Sequence, residues 1–545
     1  MNTSTTQKKR VLIVGAGASD DIERHVWLGM SAAYALSLHP AKFEVALYER
    51  SASPGGMATS VDIDASKYGA SYINDGVQGA SPVFHNTYAM FDRMGFGASE
   101  VGMQVSFGRD AEDFWSNVFP SEVVDKFQKD IKKFGRVLKV IKALEPVFAM
   151  ISVSAMLKMF RFSDDFGERI VYPLVALFFG TGNQTPFISS AILERVFMDP
   201  NMRLFEYSPT SFLASIPEMR AFPRLSLLYE TWQQKVEKTG NVIVQTRREV
   251  LRVKRDKKGV TVWSRATQGT DNDQQVVTGD SEEIEEKFDE LILAVDADAA
   301  LKILGKDASW KERRVLGNVK YYRLEYDPSL RSGTRDDDEE AQKSFEFAEK
   351  NFAPLYFIRS YPSDKKKVEM SFDLTNYQPQ FKGVSPYGPG REPPSSDSAG
   401  SEDQDPPPLE RHVFQTIFLD KEDSSHLWSK DEVKPGEVIL EKWWKQQSHR
   451  WQHYAGTVPW MMFINGKILS SKGVRTEQFT DMHEIAVVSG LAAAYRLGAE
   501  YVAFQVLILT LEIDLRTSPV IHLPTMLKRS DCSHYAWLPA MECGW

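Results

Sequence analysis

The residues best suited to chemistry stand near the start. Gly15 and Gly17 follow the apolar run Val11–Val14, and Gly29 opens the small-residue stretch Gly29–Leu36. A glycine turn between a buried strand and a helix is built for phosphate. Its first glycine makes the turn, the second lets the backbone approach a pyrophosphate, and the third seats the helix on the strand. Here the pattern is split by nine residues, Asp20 to Leu28; without them the text reads Gly-Ala-Gly-Ala-Ser-Gly, a complete G-x-G-x-x-G that includes Ser19. The insert brings Asp20, Asp21 and Glu23 to the point where a helix N-terminus would meet a pyrophosphate. Negative charge there opposes a dinucleotide unless the loop swings clear.

The elements that must position this turn read as a βαβ start. Phe43–Glu49 is a second apolar strand ending in an acid. Glu49 stands where such units bond a ribose hydroxyl, or it simply ends the strand. A turn on Pro54-Gly55-Gly56 follows. From about Asp110 to Val236 the spacing predicts mostly helices, with Lys126, Lys129, Lys132, Lys133, Lys139 and Lys142 on a polar side that is either solvated or lies on a membrane surface. Strand patterns return at Asn241–Gln245, Glu249–Val253, Gly259–Trp263 and Phe288–Ala294, with an exposed hairpin extension between Gln268 and Lys287. The proline- and serine-rich segment Ser385 to Pro408 reads as a disordered loop inserted within a strand-rich region.

The bulk properties exclude several classes. A chain of 545 residues and net charge −9 has a sizeable core and lacks the basic footprint of a general nucleic-acid binder. The basic N-terminus has no apolar run of its own, so no secretory signal is expected, and the most apolar segment, Ala143 to Phe160, is broken by Glu145, Pro146 and Lys158. Cys532 and Cys543 are too few and too late for a disulfide framework. A reducing, cytoplasmic setting is expected, with no zinc site.

Gly15-x-Gly17, Glu49 and the turn Glu49-Arg50-Ser-Ala-Ser-Pro-Gly55-Gly56-Met57-Ala-Thr59 resemble the FAD-binding start of the flavin-dependent amine oxidase and phytoene desaturase superfamily, a set of NAD(P)/FAD-binding Rossmann proteins. Met57 stands where that family usually has a basic residue. Asn74-Asp75-Gly76-Val77-Gln78 resembles the family's stretch beside the isoalloxazine, and Glu249–Val253 the strand whose valine, here Val250, contacts adenine. Met482–Gly498, with His483 and Glu484 at its start, resembles the C-terminal flavin-contacting helix. Read from its residues alone, that helix either offers its N-terminal end to a reduced flavin or simply packs tightly on a sheet through Ser489-Gly490 and Ala492–Ala494.

The resemblance implies an α/β fold in which a Rossmann-type FAD-binding domain is interleaved with a mixed α+β substrate domain. The expected parts are 1–110, 237–305 and 455–503 for the FAD domain, 111–236 (mostly helical) and 306–454 (β-rich) for the substrate domain, and an atypical tail at 504–545. It implies FAD as cofactor, a small-molecule substrate, and hydride transfer to flavin N5. A redox-neutral double-bond isomerase of fatty-acid type and a non-catalytic protein with a disrupted cofactor loop are the alternatives. The run of Phe148, Met150, Met156, Met159, Phe160, Phe178 and Phe179 is either core or an apolar cavity. Trp443, Trp444, Trp451 and Tyr454 form either a core or a wall beside the flavin. No residue type marks a catalytic acid or base; Lys467 and Lys472 are the nearest lysines to the C-terminal motif.

Overall fold

The computed structural model describes residues 7–17, 27–56, 58–110, 112–179, 182–198, 205–213, 215–267, 282–330, 352–391, 407–418, 424–448, 450–460, 474–476 and 483–500. The first strand, β1 (Lys9–Val14), is apolar on both faces because both are covered. Val11 and Ile13 join the cluster that contains α1 (Leu28–Ser37), while Leu12 and Val14 pack with Leu291, Leu293 and Val262. Strands buried on both sides belong in parallel sheets. Four further strands, β2 (Phe43–Tyr48), β3 (Val242–Gln245), β4 (Glu290–Leu293) and β5 (Val474–Thr476), complete one in the order β3-β2-β1-β4-β5, every pair parallel.

Every residue of α1 is buried, which its uncharged sequence LGMSAAYALS permits. It is clasped by α2 (Leu225–Glu237) and α3 (His483–Leu497). Trp232 Nε1 of α2 donates to Met30 O at 3.2 Å, and Ser31 Oγ donates to Val487 O of α3 at 3.1 Å. The helix α2, which closes the helical stretch in sequence, thus packs on the parallel sheet's own helix.

A second sheet carries seven strands in the order Lys442–Ser448, Lys320–Leu330, Val413–Phe418, Asp364–Asp373, Tyr356–Tyr361, Val105–Phe107, Trp115–Ser116. All its pairings are antiparallel except that of Tyr356–Tyr361 with Val105–Phe107. The helices Gln128–Ala143, Tyr172–Phe179 and Ala191–Met198 lie in the segment expected to be helical. The chain is therefore α/β, a Rossmann-type unit interleaved with a mixed α+β unit.

The start of the segment expected to be disordered, Ser385 to Pro408, is ordered. Tyr387 stacks on Phe96 with ring centroids 5.0 Å apart, Gly97 N donates to Tyr387 O at 2.8 Å, and Arg224 N donates to Pro386 O at 2.9 Å. One aromatic ring and two backbone hydrogen bonds hold a stretch that its prolines and serines alone would leave loose; residues 392–406 lie outside the described residues.

Where the chain re-enters the sheet, His412 Nδ1 lies 2.7 Å from the buried Asp373 carboxylate and Nε2 lies 2.9 Å from Pro407 O. Burial pulls the imidazole pKa down, but the Asp373 carboxylate and the Pro407 carbonyl outweigh it, and the net shift is upward. The sign follows from linkage. The stabilisation is complete below the unfolded-state value of about 6.5 and fades as pH rises through the higher folded value. Urea unfolding of the wild type and of His412→Gln should therefore differ more at about pH 6 than at about pH 9. Equal differences at both would mean that the ring is neutral.

Candidate functional site

At the end of β1 the backbone turns through Gly15 with φ +98°, and a Cβ there would lie 2.2 Å from Ala294 O, just past β4. Only glycine meets both demands. Gly17 bridges to Gly55 in parallel register, Gly55 N donating to Ala16 O at 3.0 Å, and a Cβ on Gly17 would lie 2.5 Å from Gly56 N. The Glu49 carboxylate joins the same structure, accepting from Ala16 N at 2.7 Å and from Ser51 N at 2.9 Å. The turn at Gly15–Gly17 and the segment Glu49–Gly56 are thereby tied together.

The split glycine pattern is whole in space. Gly29 stands second in α1, where a Cβ would lie 1.9 Å from Gly15 O, so the third glycine still lets helix and turn touch. Of the nine residues Asp20 to Leu28, the last two lie among the described residues. Trp27 and Leu28 are core residues, and the Trp27 ring lies 5.7 Å from those of both Phe91 and Tyr229. Gly-Ala-Gly-Trp27-Leu28-Gly29 is itself a G-x-G-x-x-G, so the motif is equally complete with the nine residues placed at Ala18 to Val26. These lie outside the described residues, and Ser19 and the three acids with them.

Glu49 N donates to Gln245 O at 2.9 Å and Arg248 N donates to Glu49 O at 2.8 Å, so the strand Arg248–Asp256 with its buried Val250 starts beside the acid. A bulge interrupts its pairing between Val250 and Arg252. Arg50 is exposed, its carbonyl accepting from Thr267 Oγ1 at 2.8 Å, and Met57 is outside the described residues. The backbone of His483 and Glu484 opens α3, whose Gly490 could carry no Cβ without meeting Leu28 O and Ser31 Oγ at 2.1 Å each. The small-residue face of α3 therefore seats it directly on the start of α1.

The strand Tyr72–Asp75 carries the remaining expected residues to the seam with the antiparallel sheet. Asp75 is fully buried and ion-paired to Lys442 Nζ, while its Oδ1 has no partner among the described residues. Gly76 turns with φ +84°, and Val77 is buried. Next to them runs a chain of amides. Gln378 bonds Asn74 N and Asn74 O at 2.8 Å each and also Gln78, and Gln78 in turn bonds Gln415. Tyr356, Phe372 and Tyr377 stand beside this chain, with ring centroids 4.9 and 5.8 Å from Tyr356, and Phe372 pairs with Gln415.

The profile of the family described as flavin containing amine oxidoreductase matches residues 29–381, well over half of the sequence, beginning at the third glycine. The chain belongs to that family. No curated protein matches the chain. Solved structures similar to this family member include putrescine oxidase bound to putrescine (TM-score 0.54, 14% identity, 91% of this chain and 100% of that one). Cyclohexylamine oxidase from Brevibacterium oxydans IH-35A is similar at TM-score 0.55 and 12% identity over 90% and 99%. A CLA-producing fatty acid isomerase from P. acnes is similar at TM-score 0.53 and 12% identity over 91% and 99%. At such identities the likeness is one of fold.

The cofactor of this flavoprotein is FAD, and the residues present fit it. The tied glycine turns and the start of α1 form a backbone cradle of the kind that takes a pyrophosphate. Each Glu49 oxygen accepts one N–H and keeps a second acceptor site for a ribose hydroxyl. Two buried donors beside the cradle, Trp27 Nε1 and Tyr229 OH, have no partner among the described residues, and a Cβ on Gly55 would lie 2.3 Å from the Tyr229 ring. Burial holds the Tyr229 phenol well above the usual tyrosine range, so it stays a neutral donor.

Lys442, Gln378, Gln415, Trp27 and Tyr229 escaped the sequence reading. Nothing local marks them, because the residues they pack against or bond lie far along the chain. Lys467 and Lys472 lie outside the described residues, as do the side chains of Trp443 and Trp444; Trp451 is exposed. The Met- and Phe-rich stretch divides between core and surface. Phe148 and Met156 are buried, Met150 and Met159 are exposed, and the Phe179 side chain is outside the described residues.

Proposed function

We propose that the protein oxidises a neutral, apolar small molecule by hydride transfer to flavin N5, with the substrate held at the seam between the parallel and antiparallel sheets. The observation that carries this reading is the Asp75–Lys442 pair. A buried carboxylate is one partner that could hold a cationic amine, and that of this seam, Asp75, is already matched by Lys442. The neighbouring groups are neutral amides and the rings of Tyr356, Phe372 and Tyr377, which favour an uncharged ligand with apolar surface. FAD supplies the two-electron acceptor. The chain's own part is to fix the stretch Asp75–Gln78 through Lys442, Gln378 and Gln415, to orient the substrate against it, and to exclude water.

Purified full-length protein is expected to be yellow, with flavin absorbance that bleaches anaerobically with an apolar substrate and not with a primary amine. Removal of Ala18–Val26, which leaves Trp27 and Leu28 in place, should retain or raise flavin content. Turnover with no acceptor reduced would replace this reading by double-bond isomerisation of a fatty-acid-like substrate. Protein that stays colourless after FAD reconstitution, with and without the deletion, would leave a non-catalytic one.

A further inference from the structure

The helix Gln128–Ala143 has a face that neither sheet uses. Ile131, Phe134, Val137, Leu138 and Ile141 are buried, and on the opposite side Lys129, Lys132, Arg136 and Lys139 are all exposed at spacings of three and four residues. That spacing makes one continuous stripe, about 15 Å from first to last at the helical rise. Asp130 is the only acid in the helix; Glu122 and Asp125 lie in the short helix before it. The acids packed around the stripe are already matched: Glu194 to Lys142 at 3.2 Å, Glu145 to Arg195 at 2.5 Å, and Asp165 to Lys126 at 2.6 Å. No described residue bonds or pairs with the four stripe cations, in a chain whose net charge is −9.

At the C-terminal end of the stripe the surface turns apolar. Val140, Leu144, Val147, Met150, Met159 and Phe187 are between 39 and 54% exposed. They are neighbours in space. Val153 N donates to Ile188 O at 2.9 Å, Ser190 N donates to Ile151 O at 2.8 Å, and Phe148 stacks on Phe160 at 6.0 Å, which brings Phe187 and Met159 to the turn that holds Val147 and Met150. A merely solvated helix face would mix signs and would not end in a cluster of aliphatic side chains.

We propose that this face docks on an anionic phospholipid membrane, the stripe lying over the headgroups and the apolar cluster entering the interface. The two halves of the face ask for the two halves of that partner: cations for lipid phosphates and carboxylates, apolar knuckles for the acyl boundary. A nucleic acid would use the stripe and leave the cluster wet. Among the described residues no helix is long and apolar enough to cross a membrane, so the contact is peripheral.

The test is flotation of the full-length protein with vesicles of phosphatidylcholine alone, or with about a quarter phosphatidylserine. Binding is expected to the second only, and to weaken with salt. K132E/R136E/K139E should lower partition about a hundredfold or more, at about fivefold per cation. V147S/M150S should lower it about tenfold or more and leave the salt dependence in place. Circular dichroism and unfolding midpoints of both variants verify that they are folded. The proposal falls if the full chain does not float with anionic vesicles or if the charge-reversed protein floats equally well. It also falls if V147S/M150S changes nothing while heparin competes completely, which would assign the stripe to a soluble polyanion.

Discussion

Gly29→Val will detach α1 from β1 and leave the protein without flavin. A Cβ at Gly29 would lie 1.9 Å from Gly15 O and 3.3 Å from the Ala294 side chain. The obstacle is backbone at a turn that is itself fixed by the Gly15 conformation and by Glu49, so nothing there can yield cheaply. Overpacking of side chains costs about 1–3 kcal/mol, and a collision with backbone belongs at or beyond the upper end. The measurements are soluble yield, urea midpoint and bound flavin per chain. Gly240→Ala is the control: Gly240 has φ +75° with nothing within 4 Å of its Cβ position, so only conformational strain of about 1–2 kcal/mol is added. Flavin retained by Gly29→Val would refute the third-glycine role.

Lys442→Met should destabilise the protein by about 3–5 kcal/mol, because it leaves the fully buried Asp75 carboxylate without its cation. Asp75→Asn added to it should recover most of that loss, since two neutral groups in the same space cost little. Because the pair is out of water, salt should hardly change either value, unlike surface pairs such as Arg391–Asp92. Urea unfolding of the two single variants and the double variant gives the coupling directly. If Lys442→Met were neutral, the pair would hold no stabilising role, and the argument for an uncharged substrate would go with it.

The fold was legible where the signal is local. The apolar run before Gly15, the acid closing β2 and the strands around Val244 and Ile292 announce a parallel sheet with a glycine turn, and the structure has both. The glycine pattern could be read across its insert, but not the insert's edges, because Ala18-Ser19 and Trp27-Leu28 satisfy the motif equally. The loop after Ser385 misled for a related reason: composition cannot reveal that Tyr387 has Phe96 to stack on. The seam was hardest to see. Asp75 belongs to a motif, but Lys442 begins an ordinary strand, and the glutamines that bind Gln78 arrive from two other places in the chain. Contacts between residues 300 or more positions apart leave no periodicity to read.

The clasp of α3 on α1 also sets an order of events. The hydrogen bond from Ser31 to Val487 spans 456 positions, and β5 enters its sheet at Val474. On a ribosome the glycine turn emerges well before α3, and the helix that covers the start of α1 comes only after the whole antiparallel sheet has been synthesised. Through that interval the nascent α1 has one flank bare, and long-range closure of this kind is slow. Complete closure around FAD is thus expected only once α3 is in place, and the bound cofactor would act as the bolt that keeps these two distant segments together.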